Sequence, residues 1–147
     1  MRRFQFKLQR LLDFRKIREE QAQAEFAKAT RVFLHEKDKL EQIQEVFAET
    51  LAGMKAEQEK PSSSIMLKMY QEYIDTVREG IRLQSAKVAA AAERRLKSLK
   101  AYEEASRRRK AVDNLRDRRL QQYQEEVLLE EQAFLDELGG QRYNRDF

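Results

Sequence analysis

Four pairs of adjacent glutamates and one histidine are the residues of this 147-residue chain best suited to acid–base chemistry. The pairs are Glu19-Glu20, Glu103-Glu104, Glu125-Glu126 and Glu130-Glu131. They fall in stretches where continuous helix is expected, which turns neighbouring side chains about 100° apart instead of enclosing a pKa-shifted pair. His35 is interpreted as a solvated or seam-flanking residue, because the chain has no cysteine to join it in a metal or nucleophile site. We therefore predict no catalytic, cofactor-binding or metal residues, and a protein that is not an enzyme.

A basic run at positions 107–110 and a formal net charge of +4 are features that nucleic-acid-binding proteins often have. Consecutive arginines on a helix point around it, however, and Glu103-Glu104 precede them. Aromatic residues are not interleaved with the basic ones as in a base-stacking platform. The aromatic and basic residues at positions 4–14 could touch an anionic membrane surface. We favour a basic surface for a protein partner and expect no nucleic acid, with a generic basic coiled coil binding nucleic acid or acidic membranes as the alternative.

Amino-acid composition restricts the fold to long helices. Ala, Glu, Lys, Leu and Arg make up more than half of the chain, which has only four glycines and one proline. A β-sandwich or barrel needs many more turn residues, and no Gly-rich loop is present to approach a nucleotide phosphate. The longest apolar runs, such as 88–92, are far too short for a membrane span, and the N-terminal segment lacks the apolar core of a secretory signal. We expect a cytoplasmic protein.

The strongest helix-breaking segment is Lys60-Pro61-Ser62-Ser63-Ser64. Proline disfavours helix in the residue before it, and a serine hydroxyl can cap the next helix. A second stop is Gly139-Gly140, interpreted as a left-handed cap. The chain 1–147 is therefore predicted to be one all-α domain with helix 4–57, turn 58–63, helix 64–138 and flexible tail 139–147. Two long helices joined by a short turn favour an antiparallel coiled-coil hairpin.

Apolar residues recur in steps of three and four along both predicted helices, which is typical of a coiled-coil seam. The first helix carries Phe26, Ala29, Phe33, Glu36, Leu40, Ile43, Phe47, Thr50 and Met54 at this spacing. The second carries Tyr70, Ile74, Val77, Ile81, Gln84, Val88 and Ala91. A turn centred near Pro61 pairs residues whose numbers sum to about 122, so the alanine run 89–92 is predicted to face Phe33.

Charge is unevenly distributed at the open end of this predicted hairpin. Residues 2–18 carry seven basic residues and one aspartate, and residues 107–119 carry seven basic residues and two aspartates. The predicted register places these two stretches, which we call the basic collar, side by side. Residues 120–138, the acidic end, carry six carboxylates and no lysine or arginine, and are predicted to overhang the first helix. Like charges at this density lower stability unless a partner neutralises them, so the collar indicates a binding role.

Three motifs are distributed along the chain. The first places Phe4, Phe6, Leu8, Leu11, Leu12 and Arg15 ahead of a helix rich in Glu, Gln and Ala. The second is Tyr70-Gln71-x-Tyr73-Ile74, and the third is Glu130-Glu131-Gln132-x-x-Leu135-Asp136-Glu137. With the chain length and the helix–turn–helix layout, they resemble the FliJ proteins of the flagellar type III export apparatus. The likeness covers most of the chain.

The resemblance implies a non-enzymatic export component, peripheral at the cytoplasmic face of the inner membrane at the flagellar base. FliJ proteins are similar to the central stalk of rotary ATPases. The resemblance therefore implies binding to a hexameric FliI-like export ATPase, promotion of its ring assembly, coupling to a FlhA-like export gate, and a link to export chaperones. We expect a monomer. The equivalent stalk protein of a virulence type III secretion system is the alternative, which the partner ATPase would distinguish.

Two sets of contact residues accompany the resemblance. The ATPase contact is assigned to Phe4, Leu8, Leu11, Arg15, Arg107, Arg108, Arg109, Arg116, Glu130, Glu131 and Phe134. The export-gate contact is assigned to Tyr73, Val77, Gly80, Gln84, Ile43 and Phe47. Gly80 costs a helix about 1 kcal/mol relative to alanine, which suggests close approach by another surface. A broad core stripe with an incidental glycine is the alternative. The part of the gate contact on the first helix departs from the family, which often has tyrosines where this chain has Val46 and Thr50.

Overall fold

Two long helices account for all the regular secondary structure that the computed structural model describes, in residues 2–60 and 64–145. Helix α1 spans Gln9–Gln58 and helix α2 spans Ser64–Arg145. Their length follows from the composition, because the only proline, Pro61, lies between them and outside the described residues. The prediction of an all-α protein with two long antiparallel helices is confirmed.

Both helices differ from the predicted bounds. Residues 2–6 are not helical, and α1 begins where the Gln9 N–H donates to the Phe6 carbonyl at 3.1 Å. Helix α2 continues through Gly139 and Gly140, and no glycine in the described ranges has a positive φ, so the predicted left-handed cap is not formed. All residues there are exposed, so the apolar contact that usually accompanies such a cap is missing. Half of the predicted turn, residues 61–63, and the last two residues of the predicted tail lie outside the described residues.

The chain divides into two compact units. The central unit is Gln21–Tyr102, and the terminal unit combines Met1–Glu20 with Glu103–Phe147. Each contains a piece of α1 and a piece of α2. In each unit, contacts from higher-numbered residues of the N-terminal piece go to lower-numbered residues of α2. The two units are therefore both antiparallel helix pairs, and they differ in how the pair is held together.

The central unit is held by the seam that the sequence predicts. All sixteen seam positions named above are buried or half-buried, and Ile74, Val77 and Ala91 are among its most buried apolar residues. The Phe26 and Tyr102 rings stack with centroids 6.4 Å apart. Contacting pairs have numbers that sum to 120 for Glu36 and Gln84 and to 128 for Phe26 and Tyr102, close to the predicted 122.

Two polar side chains lie inside this seam. Gln84, 6% exposed, donates from Nε2 to the Glu36 carbonyl at 2.9 Å and to its carboxylate at 2.5 Å. Thr50, 9% exposed, donates to the Val46 carbonyl of its own helix at 2.7 Å. The hydrogen bond from Gln84 lowers the pKa of Glu36 below its ordinary value, and nearby lysines act in the same direction. The seam is therefore mainly apolar, and its two buried polar side chains form hydrogen bonds within the protein, as buried polar groups require.

The terminal unit is held by its aromatic N-terminal segment. Leu12 is its most buried side chain at 1% exposed, and Phe6 is 8% exposed. The Phe4 and Tyr123 rings lie 5.6 Å apart, and the Tyr123 hydroxyl donates to the Arg2 carbonyl. Because residues 2–6 are not helical, each can cover about 3.3 Å of α2, whereas a helical residue covers 1.5 Å.

This non-helical segment moves the start of the overhang on α2. The sequence predicts an unpaired stretch from residue 120, but Leu120, Tyr123 and Val127 are half-buried. All residues from Leu128 to Arg145 are exposed. The unpaired part of the acidic end therefore begins at residue 128, about two helical turns later than predicted.

Candidate partner-binding surfaces

The basic collar is partly neutralised from within the terminal unit. Arg109 Nε donates to the Glu19 carboxylate at 2.9 Å, and its Nη1 lies 3.3 Å from Asp113. These three side chains are between 19% and 35% exposed, so the pair is shielded from solvent more than the other ion pairs of the unit. The hydrogen bond with Glu19 raises the pKa of Arg109, so the guanidinium is charged at any physiological pH. Arg109, predicted as an ATPase contact, is thus primarily an internal contact.

The other collar arginines divide between packing and surface roles. Arg116 lies over the Phe4 ring at 6.0 Å, and Arg15 lies at the same distance from the Phe14 ring. Arg107 and Arg108 reach Glu104 one turn away, at 3.8 and 3.0 Å, in exposed pairs. Exposed pairs of this kind contribute little to stability. Arg107 and Arg108 are therefore the members of the predicted arginine set that remain available at the surface.

The remaining predicted ATPase contacts differ widely in exposure. Phe4 and Leu11 are half-buried, and Leu8 is 36% exposed. Glu130, Glu131 and Phe134 lie on the part of α2 that is exposed throughout, and Phe134 is 61% exposed. The structure thus places Phe4 and Leu11 in the packed part of the terminal unit and Leu8 at its surface. The last three lie on its accessible helix.

The predicted export-gate residues do not form one exposed patch. Val77 and Gln84 are buried between the helices of the central unit, at 8% and 6% exposed. Ile43 and Phe47 are half-buried, and Arg78 lies 5.8 Å from the Phe47 ring. Tyr73 is the most accessible of the set at 50% exposed. Val77 and Gln84 can thus affect a partner only through the packing of the two helices.

Two glycines of the central unit have opposite surroundings. A Cβ added at Gly80 would meet nothing within 4 Å, so no part of the described chain requires a glycine there. A Cβ at Gly53 would lie 3.2 Å from the Tyr70 hydroxyl and 3.3 Å from its ring. Within the protein, the close approach is at Gly53, where the large Tyr70 ring faces a small residue. Close approach of a partner surface at Gly80 stays a prediction.

An exposed apolar stripe at the start of α2 was missed from the sequence. Ile65, Met69 and Tyr73 follow one another at intervals of four residues and are 70%, 61% and 50% exposed. Residues four apart lie on the same face of a helix, so this spacing was the signal that could have revealed the stripe. We call these three residues the Ile65–Tyr73 stripe.

Metal-ligand clusters and membrane-spanning helices are absent from the described ranges. Residues 2–60 and 64–145 hold no group of three or more His, Cys, Asp or Glu side chains placed to bind a metal ion. Within the same ranges neither helix has an apolar stretch long enough to cross a bilayer. The glutamate pairs lie on continuous helix. The half-buried Glu19 carboxylate forms an ion pair with Arg109, not a carboxylate pair with Glu20.

Comparison with known proteins identifies the family. No curated protein and no solved structure gives a significant match to the chain. A sequence model of the family described as flagellar FliJ protein matches residues 4–146, which is nearly the whole chain. The antiparallel helix pair in each unit agrees with the coiled coil that the resemblance implies. The chain therefore belongs to the flagellar FliJ protein family, whose members are components of the type III export apparatus.

Proposed function

We propose that this protein is the non-catalytic coiled-coil stalk of the flagellar export ATPase. In this proposal the exposed part of α2, residues 128–145, enters the hexameric ATPase and promotes assembly of its ring. The central unit then couples the ATPase to the export gate, and the protein acts at the cytoplasmic face of the inner membrane. The observation that carries the proposal is that α2 continues as a helix for eighteen residues in which every residue is exposed.

The apolar face of this exposed helix supports a helix-packing partner. Val127 is the last half-buried seam residue, and Phe134 and Leu138 continue its spacing at intervals of seven and four. These two side chains are 61% and 43% exposed. A coiled-coil stripe that extends past the last residue able to cover it is suited to bind a further apolar surface.

The charges near Phe134 and Leu138 support a partner whose opening has a basic interior and an acidic rim. Six carboxylates lie between residues 120 and 138, and the basic collar lies in the same terminal unit. Lys110, Arg118 and Arg119 form no ion pair in the described part of the chain and are all exposed. A partner with a basic interior and an acidic rim would complement this order of charges and accelerate association.

The Ile65–Tyr73 stripe supports the coupling part of the proposal. Three large apolar side chains at least half exposed on one face are suited to a protein contact. The stripe includes Tyr73, assigned from the sequence to the export gate. We expect Tyr73→Ala to weaken binding of the gate protein's cytoplasmic domain with little change in thermal stability, whereas Val77→Ala should lower stability because Val77 is buried. Leu83→Ala, at a position 51% exposed on the same helix, is the control and should leave gate binding unchanged.

The decisive experiment measures ATP turnover and ring formation by the purified export ATPase, with and without this protein. The test variant is Phe134→Ala/Leu138→Ala, which removes the exposed stripe without touching a buried residue. The matched control is Leu129→Ala, 67% exposed and about 140–180° around the helix from Phe134 and Leu138. We expect the wild-type and control proteins to stimulate the ATPase equally and the double variant to lose most of the stimulation. No stimulation and no co-elution with the ATPase would refute the stalk function. Full stimulation by the double variant would refute the role of Phe134 and Leu138.

A further inference from the structure

The central unit has a second surface feature, a groove between α1 and α2 that the proposed function does not use. Its volume is about 360 Å³, and its floor is made by Ala29, Val32 and Ala91. Ala91 belongs to the alanine run 89–92, so small side chains on α2 leave space where other seam positions carry large ones. Val32 is 42% exposed, which gives the floor an accessible apolar spot.

The rim of this groove is basic. Lys28 on one side and Arg94 and Lys97 on the other line it, against a single acidic lining residue, Glu25. Lys97 lies 3.5 Å from Glu93 in an exposed pair, but Lys28 and Arg94 form no ion pair among the described residues. Two cations that face the same groove from different helices repel each other weakly, and an anionic group between them would remove that repulsion.

The combined geometry specifies the chemistry of an occupant. A depression between two packed helices accepts the ridge of a third helix, and a floor of small residues leaves room for one large apolar side chain. Lining residues extend over about two turns on each helix, from Glu25 to Val32 and from Ala91 to Ser98. A helix that places Leu or Ile toward the floor and Glu or Asp beside it would satisfy both the apolar floor and the basic rim.

We propose that this groove binds an acidic amphipathic helix of a partner protein. The partner helix packs against Ala29, Val32 and Ala91, and its carboxylates pair with Lys28 and Arg94. Neither the Ile65–Tyr73 stripe nor the exposed end of α2 contributes a residue to the groove. The inference is therefore independent of the proposed stalk function and stands or falls by itself.

A helix-stapled, fluorescently labelled peptide of Leu and Glu in a heptad pattern is the probe, and its anisotropy is measured against the full-length protein. We expect saturable binding that weakens as salt is raised, because exposed charge pairs are screened. Lys28→Glu/Arg94→Glu should weaken binding about tenfold or more and should create binding of a matched peptide with Lys in place of Glu. Val32→Ser, which leaves the charges intact, should weaken binding of the acidic peptide as well.

The control variant is Lys37→Glu/Lys68→Glu, which makes the same change of net charge at two exposed positions, one on each helix, outside the groove. This variant should keep acidic-peptide binding within about twofold of wild type. Equal weakening by the two double variants would mean nonspecific attraction and would overturn the proposal, as would the absence of saturable binding. A concentration-dependent dimer in light scattering that is lost in Lys28→Glu/Arg94→Glu would show that a second copy fills the groove, which also overturns it.

Discussion

The central unit and the exposed end of α2 are both helical, yet only the first buries its apolar stripe. In the central unit the three- and four-residue spacing finds a partner helix, and Ile74, Val77 and Ala91 are at most 8% exposed. Beyond residue 128 similar spacing continues, but Phe134 and Leu138 are 61% and 43% exposed. Local composition thus decides where the chain is helical, and the availability of a second helix decides which stripe becomes a core. The predictions below test this difference by changing one region at a time.

The largest expected effect is the loss of a core side chain. Leu12→Ala removes the most buried side chain of the terminal unit and should lower the free energy of unfolding by about 2–5 kcal/mol. The same substitution at the exposed Leu135 should change it by less than about 0.5 kcal/mol. Guanidinium denaturation followed by circular dichroism measures both. A loss of similar size at Leu135 would mean that the exposed end of α2 is packed in the isolated protein.

The second effect is the loss of the shielded ion pair. Arg109→Ala leaves the Glu19 and Asp113 carboxylates without their guanidinium and should cost about 1–2 kcal/mol after allowance for partial exposure. Arg108→Ala breaks only an exposed pair with Glu104 and should cost less than about 0.5 kcal/mol. Both values come from the same denaturation assay at moderate salt. Equal costs for the two variants would show that shielding by the terminal unit does not matter.

A gain of stability is expected at Gly80. Gly80→Ala adds a methyl group to open space in a helix and should stabilise the protein by about 0.5–1 kcal/mol. At Gly53 the added Cβ would crowd the Tyr70 ring, so Gly53→Ala should gain less or lose stability. Thermal unfolding of the two variants compares them directly. If Gly80→Ala is stabilised but loses gate binding, the glycine serves the partner contact.

The smallest effect is a pH dependence of the buried hydrogen bond. The hydrogen bond from Gln84 lowers the pKa of Glu36 in the folded state. The stabilisation by this hydrogen bond to the ionised carboxylate is therefore fully present above the ordinary pKa of 4.5 and is lost as pH falls through the lower folded value. The difference in stability between wild type and Gln84→Leu should therefore shrink when the pH is lowered from 7 to about 3. Denaturation curves at several pH values measure it. A difference that stays constant would show that the carboxylate is not the relevant acceptor.

Much of the fold was predictable because seam spacing and helix breakers are local signals. The sixteen seam positions of the central unit and the antiparallel pairing register were anticipated, since both depend on periodicity and on the place of Pro61. The ends were less predictable. Whether residues 2–6 are helical depends on burial of Phe6 and on the contact of Phe4 with Tyr123. Whether Gly139 ends a helix depends on an apolar contact that sequence alone does not reveal.

The candidate sites were predictable to a smaller extent, because burial of a seam-edge residue depends on small rotations of two helices. Val77 was assigned both to the seam and to the export-gate contact and is buried, whereas Tyr73 of the same contact set is 50% exposed. Ile65 and Met69 were overlooked although their spacing with Tyr73 is visible in the sequence. The groove above Ala91 could not be anticipated, since an alanine run indicates close packing as readily as empty space.

Amide hydrogen exchange and aromatic side-chain NMR signals should report different degrees of order in the non-helical N-terminal segment. Phe6 is almost fully buried, but within the described residues the backbone N–H groups of positions 3–6 donate no backbone hydrogen bond. Amide exchange reports hydrogen bonding of the backbone, while aromatic side-chain resonances report packing. At this one segment the two should disagree, with rapidly exchanging amides beside well-dispersed ring signals of Phe4, Phe6 and Tyr123.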